Sequence, residues 1–356
     1  MPPPADGVAM NGVKTAENAP LLEVRDLEQR FDVSGSLIDR LRFSGGRVSA
    51  PRRIVHAVNG VSLSIRRGEV LGIVGESGCG KSTLAKTIVK LNEPTAGQIL
   101  IDGEDITHHD FTQMRPVRRK MQMIFQDPYA SLNPRQKVRD IIMEPYLESQ
   151  GGSVPDRTER ALALLEKVGL GTEHLDRYPH QFSGGQRQRI GIARSLSVQP
   201  DLIIADEPVS ALDVSIQAQI LNLLMDLKDE FGFSYLFITH DLSVVRHISD
   251  RIGVMYLGFM VETGPTGTIF SAPKHPYTRA LLAAAPQLGT KLGPATEQLG
   301  GEVPSAIDLP RGCPFRQRCP LAFARCAEER PVLVPVGGGQ SVACHLHEPA
   351  IAEPAA

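Results

Sequence analysis

Nine consecutive residues, Gly75, Glu76, Ser77, Gly78, Cys79, Gly80, Lys81, Ser82 and Thr83, hold the chemistry of a phosphate cradle. Gly75 and Gly80 stand four residues apart, a lysine follows directly, and a hydroxyl comes after it. Glycines free backbone N–H groups to wrap an anion, Lys81 supplies a point charge for the β- and γ-phosphates, and Ser82 offers a ligand to Mg²⁺. Further on, the apolar run Leu202 to Ala205 ends in Asp206 and Glu207. Two carboxylates at a strand end suit the metal and the attacking water of phosphoryl transfer, Asp206 holding the metal through its water shell and Glu207 polarising the nucleophile. The bland alternative is a solvated acidic turn. A third feature, FSGGQRQRIGIARSL from Phe182, places Ser183 as an N-cap before Gly184, Gly185 and Gln186, with Ile190, Ala193 and Leu196 at helical spacing. An uncovered helix N-terminus is a second anion site, although the same pattern also fits an ordinary capped helix.

The elements that must position these groups follow from periodicity. Val70 to Val74 (VLGIV) is a short buried strand leading into the glycine loop, and Leu84, Ile88 and Leu91 recur at helical spacing after it. Other β-type runs (Leu21 to Val24, Val61 to Ile65, Leu202 to Ala205, Tyr235 to Thr239) alternate with helical patterns. This predicts an α/β fold with a largely parallel sheet. Between Phe31 and Val58 the sequence reads as a solvated loop carrying Arg40, Arg42, Arg47, Arg52 and Arg53. Residues 1–20, rich in Pro, Ala and Asn, read as a disordered leader. Near Ser271 the composition changes, prolines and glycines become frequent, and four of the five cysteines fall between Cys313 and Cys344. That pattern predicts a small appended domain, residues 272–347, which needs a cross-link or a metal, followed by a frayed tail over 348–356.

Composition narrows the function. With 356 residues and a net charge of −2, nothing pulls the chain toward nucleic acid. No run approaches 18 apolar residues, and MPPPADGVAM lacks the basic and apolar regions of a secretory signal. The expectation is a cytosolic protein whose membrane role, if any, comes through a partner.

Taken together, GESGCGKST, FSGGQ and the strand ending in Asp206 and Glu207 resemble the ATP-binding cassette ATPases over residues 21–271, with Phe182 where leucine is commoner. Further motifs resemble that family in the same order. Gln126, in MIFQDPYASLNP, matches a glutamine that touches Mg²⁺ and senses the membrane subunit. Ser210 to Asp213 match a loop that crosses the dimer, and His240, in FITHD, matches a histidine that contacts the γ-phosphate. Phe31 matches the aromatic that stacks on adenine, although the arginine-rich stretch separates it from the glycine loop. The resemblance implies a RecA-like core with antiparallel β and helical subdomains, ATP and Mg²⁺ as cofactors, and metal contacts from Ser82, Gln126 and Asp206. It also implies a head-to-tail dimer, in which Ser183 to Gln186 of one cassette close over ATP on the other.

KHPYTRALLAAAP and GEVPSAIDLPRGCPFRQRCPLAFARC resemble the ATPase subunits of bacterial oligopeptide and dipeptide importers, a group that includes nickel and glutathione importers. The resemblance implies a subunit on the cytoplasmic face of the membrane. Its partners would be a second cassette, a copy or a relative, with two permease subunits and an external binding protein. A drug or lipid exporter would lack the HPYT and cysteine region, and a soluble cassette protein would carry two cassettes or a long coiled coil. Five, six and seventeen residues separate Cys313, Cys319, Cys326 and Cys344, gaps unlike the short pairs of structural zinc. The resembling importers carry a [4Fe-4S] cluster at matching cysteines; zinc, with His345 or His347, and free thiols stay open. Cys79 reads as a tolerated small residue of the phosphate loop rather than a redox switch.

Overall fold

Residues 19–34, 42–44, 47–49, 52–150, 157–284, 302 and 304–348 are described by the computed structural model. The chain opens with β1 (Leu22–Asp32), a short hairpin of β2 (Arg42–Ser44) and β3 (Arg47–Ser49), and β4 (Ile54–Ile65). Next come β5 (Val70–Val74), α1 (Lys81–Ile88), β6 (Ala96–Ile101), β7 (Glu104–Asp105), α2 (Met114–Lys120) and β8 (Met121–Ile124). Three helices follow: α3 (Val138–Gln150), α4 (Arg157–Lys167) and α5 (Gly184–Leu196). β9 (Leu202–Asp206), α6 (Val214–Phe231), β10 (Ser234–Ile238), α7 (Leu242–Ile248) and β11 (Arg251–Tyr256) complete the α/β alternation. The remainder is β12 (Phe259–Pro265), α8 (Thr266–Ser271), α9 (Pro276–Ala284), α10 (Ala324–Glu328), β13 (Val334–Gly337) and β14 (Gln340–Val342).

Every residue of β5, β9 and β10 is buried, as strands covered on both faces require. They lie in an eight-stranded sheet of order β13-β14-β12-β11-β5-β10-β9-β8, parallel from β11 to β8 and antiparallel beyond. A four-stranded antiparallel sheet, β4-β1-β6-β7, packs beside it, with α1 in the same apolar core as Leu22, Val24, Ile99 and Ile101. The helices α3 to α5 bury Ile141, Leu165, Ile190 and Leu196 with β9 and β10 in a second core, which makes the helical layer. The parallel centre, the antiparallel β sheet and the helical layer are those expected from the resemblance.

Two local readings change. Ile54 to Val58 is strand, zipped to β1 with Phe31 opposite Val55 and Asp32 opposite Ile54, so the loop is shorter than the expected stretch between Phe31 and Val58. Register breaks along β1 hide its full length from a search for strict alternation. The zipper returns Phe31 to the glycine loop's neighbourhood despite the intervening insertion. Arg42 and Arg47 lie in the β2–β3 hairpin, Arg52 and Arg53 are exposed, and Arg40 lies outside the described residues. Leu91 is not on α1: the helix ends at Ile88, Lys90 takes φ +57°, and Leu91 is exposed.

Beyond Ser271 the chain continues the main sheet, because β14 pairs with β12 through Glu262–Val342 and Thr263–Ser341. Glu262 is wholly buried and accepts from the Lys274 N–H (2.7 Å), the His275 N–H (3.0 Å) and the Gln340 side-chain amide (2.6 Å). Tyr256 of β11, Tyr277 of α9 and Phe315 form an aromatic cluster, with ring centroids 4.7 to 5.4 Å apart. The expected leader and tail lie outside the described residues, except at their inner ends. Glu262→Ala strands two backbone donors and the Gln340 amide. Urea unfolding should show a loss of about 3 kcal/mol, whereas a loss under about 1 kcal/mol would mean that this carboxylate does not tie the C-terminal region to the core.

Candidate active site

A cavity of about 760 Å³ opens at the carboxyl ends of the parallel strands, where α/β sheets bind ligands. Gly75 to Thr83 form one wall; Gln126, Glu207 and His240 form another; Phe31, Val55, His56, Leu257, Leu281 and Ala306 form an apolar end. The wall from Gly75 to Thr83 joins β5 to α1 and depends on Gly80, which has φ +103° and whose Cβ would sit 2.1 Å from the Ala57 carbonyl oxygen. With glycine as N-cap, no side chain covers the first N–H groups of α1, which stay available to an anion. Lys81, almost fully buried, donates to the Gly75 carbonyl (2.8 Å) and the Glu76 carbonyl (3.0 Å), so its ammonium is held inside the loop's curve.

The two carboxylates have different settings, Glu207 lining the cavity and Asp206 standing behind Ser82. Asp206 is buried at the end of β9 and accepts from the Ser82 hydroxyl at 2.8 Å. Burial pushes its carboxyl above the usual range, partly offset by the Ser82 hydrogen bond. A carboxylate short of solvent beside a hydroxyl fits a hard dication, whose charge supplies what water does not. Glu207, one residue on, takes φ +47°, a strained conformation held by its N–H to the Ile238 carbonyl (2.9 Å). The Gln126 side-chain amide donates to one Glu207 oxygen (3.0 Å), and His240 Nδ1 lies 3.3 Å from the other. Residues after β8, β9 and β10 thus meet at one carboxylate, an arrangement able to orient water in line with a phosphate.

Ser183, Gly184, Gly185, Gln186 and Asp213 do not line this cavity. The helix start they form is nonetheless built as read: the Gln186 N–H donates to Ser183 Oγ (3.3 Å), and the Ser183 N–H to Gln186 Oε1 (3.0 Å). At Gly185 a Cβ would meet Ile216 at 2.7 Å, so α5 and α6 approach closely there. Phe182 is buried against His174. The Ser210 hydroxyl donates to the Glu207 carbonyl (3.1 Å), and Asp213 is the N-cap of α6. Sequence reading missed Arg187 and Arg194 of α5. Arg194 donates to the Ser131 carbonyl, and the Arg187 guanidinium lies 3.5 Å from the Tyr129 ring centroid, tying the loop after Gln126 to this helix. Their signal, arginines recurring in QRQRIGIAR, was passed over. Leu281 and Ala306 carried no signal.

Cys79 is buried and burial pushes its thiol up, which removes the thiolate a redox switch needs. Cys313, Cys326 and Cys344 are buried, Cys319 is half-buried, and none is in a disulfide. Burial raises Cys313, to about 11, and also raises Cys319 and Cys344. The Cys313 N–H donates to the Cys326 carbonyl (2.9 Å), and Cys313, Cys319 and Cys326 pack in one apolar core. Among the described residues, no group of three or more His, Cys, Asp or Glu side chains is arranged to hold a metal ion. His345 spends both ring nitrogens, one on Glu348 (2.9 Å) and one on the Glu329 carbonyl (3.0 Å), and His347 Nε2 lies against the Lys274 carbonyl.

Residues 58–210 match the ABC transporter family, and residues 261–326 match the oligopeptide/dipeptide transporter C-terminal region. The dipeptide transport ATP-binding protein DppF of Escherichia coli is 50% identical over 91% of this chain and 94% of its own length. The oligopeptide transport ATP-binding protein AppF of Bacillus subtilis is 50% identical over 93% and 99%. Among solved structures, the ATP-binding cassette MJ0796, a dimer in a post-hydrolysis state with ADP and Pi, aligns with a TM-score of 0.59. It is 29% identical over 69% of this chain and 98% of that one.

Glu207→Gln keeps the hydrogen-bonding shape and removes the charge that a water-polarising role would require. Turnover should fall by about a hundredfold or more while nucleotide binding persists. Unchanged hydrolysis would remove Glu207 from that role.

Proposed function

The chain belongs to the ATP-binding subunits of ABC transporters, and from that premise we propose that it is the energy-coupling ATPase of a peptide importer. The observation that carries the reading is the single cavity in which Lys81 and Ser82 face Gln126, Glu207 and His240, while the capped N-terminus of α5 stays outside it. A site so divided is completed by another cassette. In this reading Phe31 packs on adenine, the residues from Gly75 to Thr83 hold the phosphates, and Ser82, Gln126 and Asp206 hold Mg²⁺. Glu207 polarises water, His240 contacts the γ-phosphate, and Ser183 to Gln186 with Asp213 of the second chain close the site. A bare helix N-terminus and a γ-phosphate attract, so ATP draws the cassettes together and hydrolysis releases them.

The cargo class rests on the C-terminal region and on the relatives' names. Among the described residues no helix is long and apolar enough to cross a membrane, so attachment to the cytoplasmic face is proposed to run through two permease subunits. A groove beside the Gln126 loop, with Leu91, Phe125, Arg118 and Glu148 on its walls, suits such a contact. An external binding protein would deliver the peptide; nucleic acid has no part in the reading.

We also propose that Cys313, Cys319, Cys326 and Cys344 hold a [4Fe-4S] cluster. Support comes from four buried or half-buried thiols, three of them packed in one core, with His345 already occupied. Bound, the cluster supplies a rigid cross-link or a one-electron site.

The chain co-purified with its permeases should hydrolyse ATP faster when a peptide-loaded binding protein is added, and stimulation by nickel or glutathione alone would overturn the peptide reading. Anaerobic protein should contain about four irons and four sulfides per chain. A colourless, zinc-loaded preparation would exclude the cluster.

A further inference from the structure

Glu76 is an anomaly in a cradle built for anions: its carboxylate stands in the loop that must receive the triphosphate. Its side chain is three-quarters buried, and Arg318 grips both of its oxygens, Nη1 to Oε2 at 2.6 Å and Nη2 to Oε1 at 2.9 Å. The Arg318 side chain is only 4% exposed, next in sequence to Cys319, and its guanidinium lies 5.8 Å from the Tyr256 ring centroid. The Arg318 N–H is fixed to the Phe315 carbonyl (3.0 Å) within the aromatic cluster. Two more contacts from the same C-terminal region reach the site. The Glu76 N–H donates to the Tyr277 hydroxyl (2.9 Å), and the His56 N–H donates to the Ala306 carbonyl (2.9 Å) at the cavity's apolar end. Glu76 is therefore held at three points: carboxylate by Arg318, N–H by Tyr277, and carbonyl by Lys81.

We propose that Arg318 is a positioning residue for the nucleotide site: its fork neutralises Glu76 and fixes the first turn of the phosphate loop, so that the cysteine-bearing region sets the affinity for Mg-ATP. The inference rests on the reading of the cavity as an ATP site. Without Arg318, an unpaired carboxylate in a partly desolvated loop repels the phosphates and is free to turn its oxygens toward the loop's own N–H groups, the donors the phosphates need. A structural strut alone predicts no such charge dependence, and this separates the two roles.

The test titrates Mg-ATP into the full-length chain by calorimetry and records the thermal unfolding midpoint of each variant. Arg318→Ala should weaken binding about ten- to a hundredfold. Arg318→Lys, which keeps charge but loses the fork, should recover part of that loss. The double variant Arg318→Ala with Glu76→Gln should return to within about threefold of the native chain, since the stranded charge is gone, and Glu76→Gln alone should tighten binding. Unchanged affinity in Arg318→Ala would overturn the proposal. So would a loss that Glu76→Gln fails to rescue in a double variant with a native-like midpoint, because that marks a purely structural role. If the native chain binds no Mg-ATP, the ATP-site reading itself fails.

Discussion

In the proposed reading a triphosphate settles among Glu76, Asp206 and Glu207, and the arrangement of the site follows from that conflict of like charges. Two unit charges 4 Å apart repel by about 4 kcal/mol at an effective dielectric of 20, so each carboxylate needs its own answer. Glu76 has Arg318. Asp206 is buried against Ser82, where a proposed Mg²⁺ turns a liability into a ligand. Glu207 is engaged by Gln126 and His240, which hold its oxygens in place. In the same reading Lys81, the loop's backbone N–H groups and His240 face the anion.

The fold delivers these groups by ending parallel strands at one edge. β5 leads into the cradle, while β8, β9 and β10 deliver Gln126, Glu207 and His240 to a common point, and the register of β9 with β10 fixes Asp206 beside Ile238. The strained backbone at Glu207 survives because its N–H and carbonyl are both bonded, to Ile238 and Ser210. The helical layer is linked to the same edge through Arg187 and Arg194, which reach the loop after Gln126. The start of α5 is thereby tied to the loop that follows Gln126.

Much of this was legible because the chemistry is local in sequence. The cradle, the carboxylate pair and the capped helix start each lie within a dozen residues, where spacing alone constrains the geometry. Phe31 was placed by resemblance, but its route to the cavity was hidden, since β1 breaks register and its partner β4 lies beyond the arginine-rich stretch. The C-terminal region was legible as a compositional break but not as part of the main sheet. The Glu262 to Gln340 contact spans 78 positions, and a buried glutamate in a strand looks no different in sequence from an exposed one. Arg318 was invisible for the same reason: its partner is 242 residues away, and an arginine among cysteines reads as surface.

In the proposed dimer the site is shared between two chains, the cradle of one meeting the capped helix of the other. The most direct measurement is photolabelling of the assembled transporter with an ATP analogue reactive at its γ-phosphate, followed by mapping of the labelled peptides. Label on the peptide containing residues 183–186 as well as on the phosphate loop, with the first lost when the assembly is dissociated, is the predicted result. Label confined to the phosphate loop in the intact, nucleotide-loaded assembly would contradict the shared site.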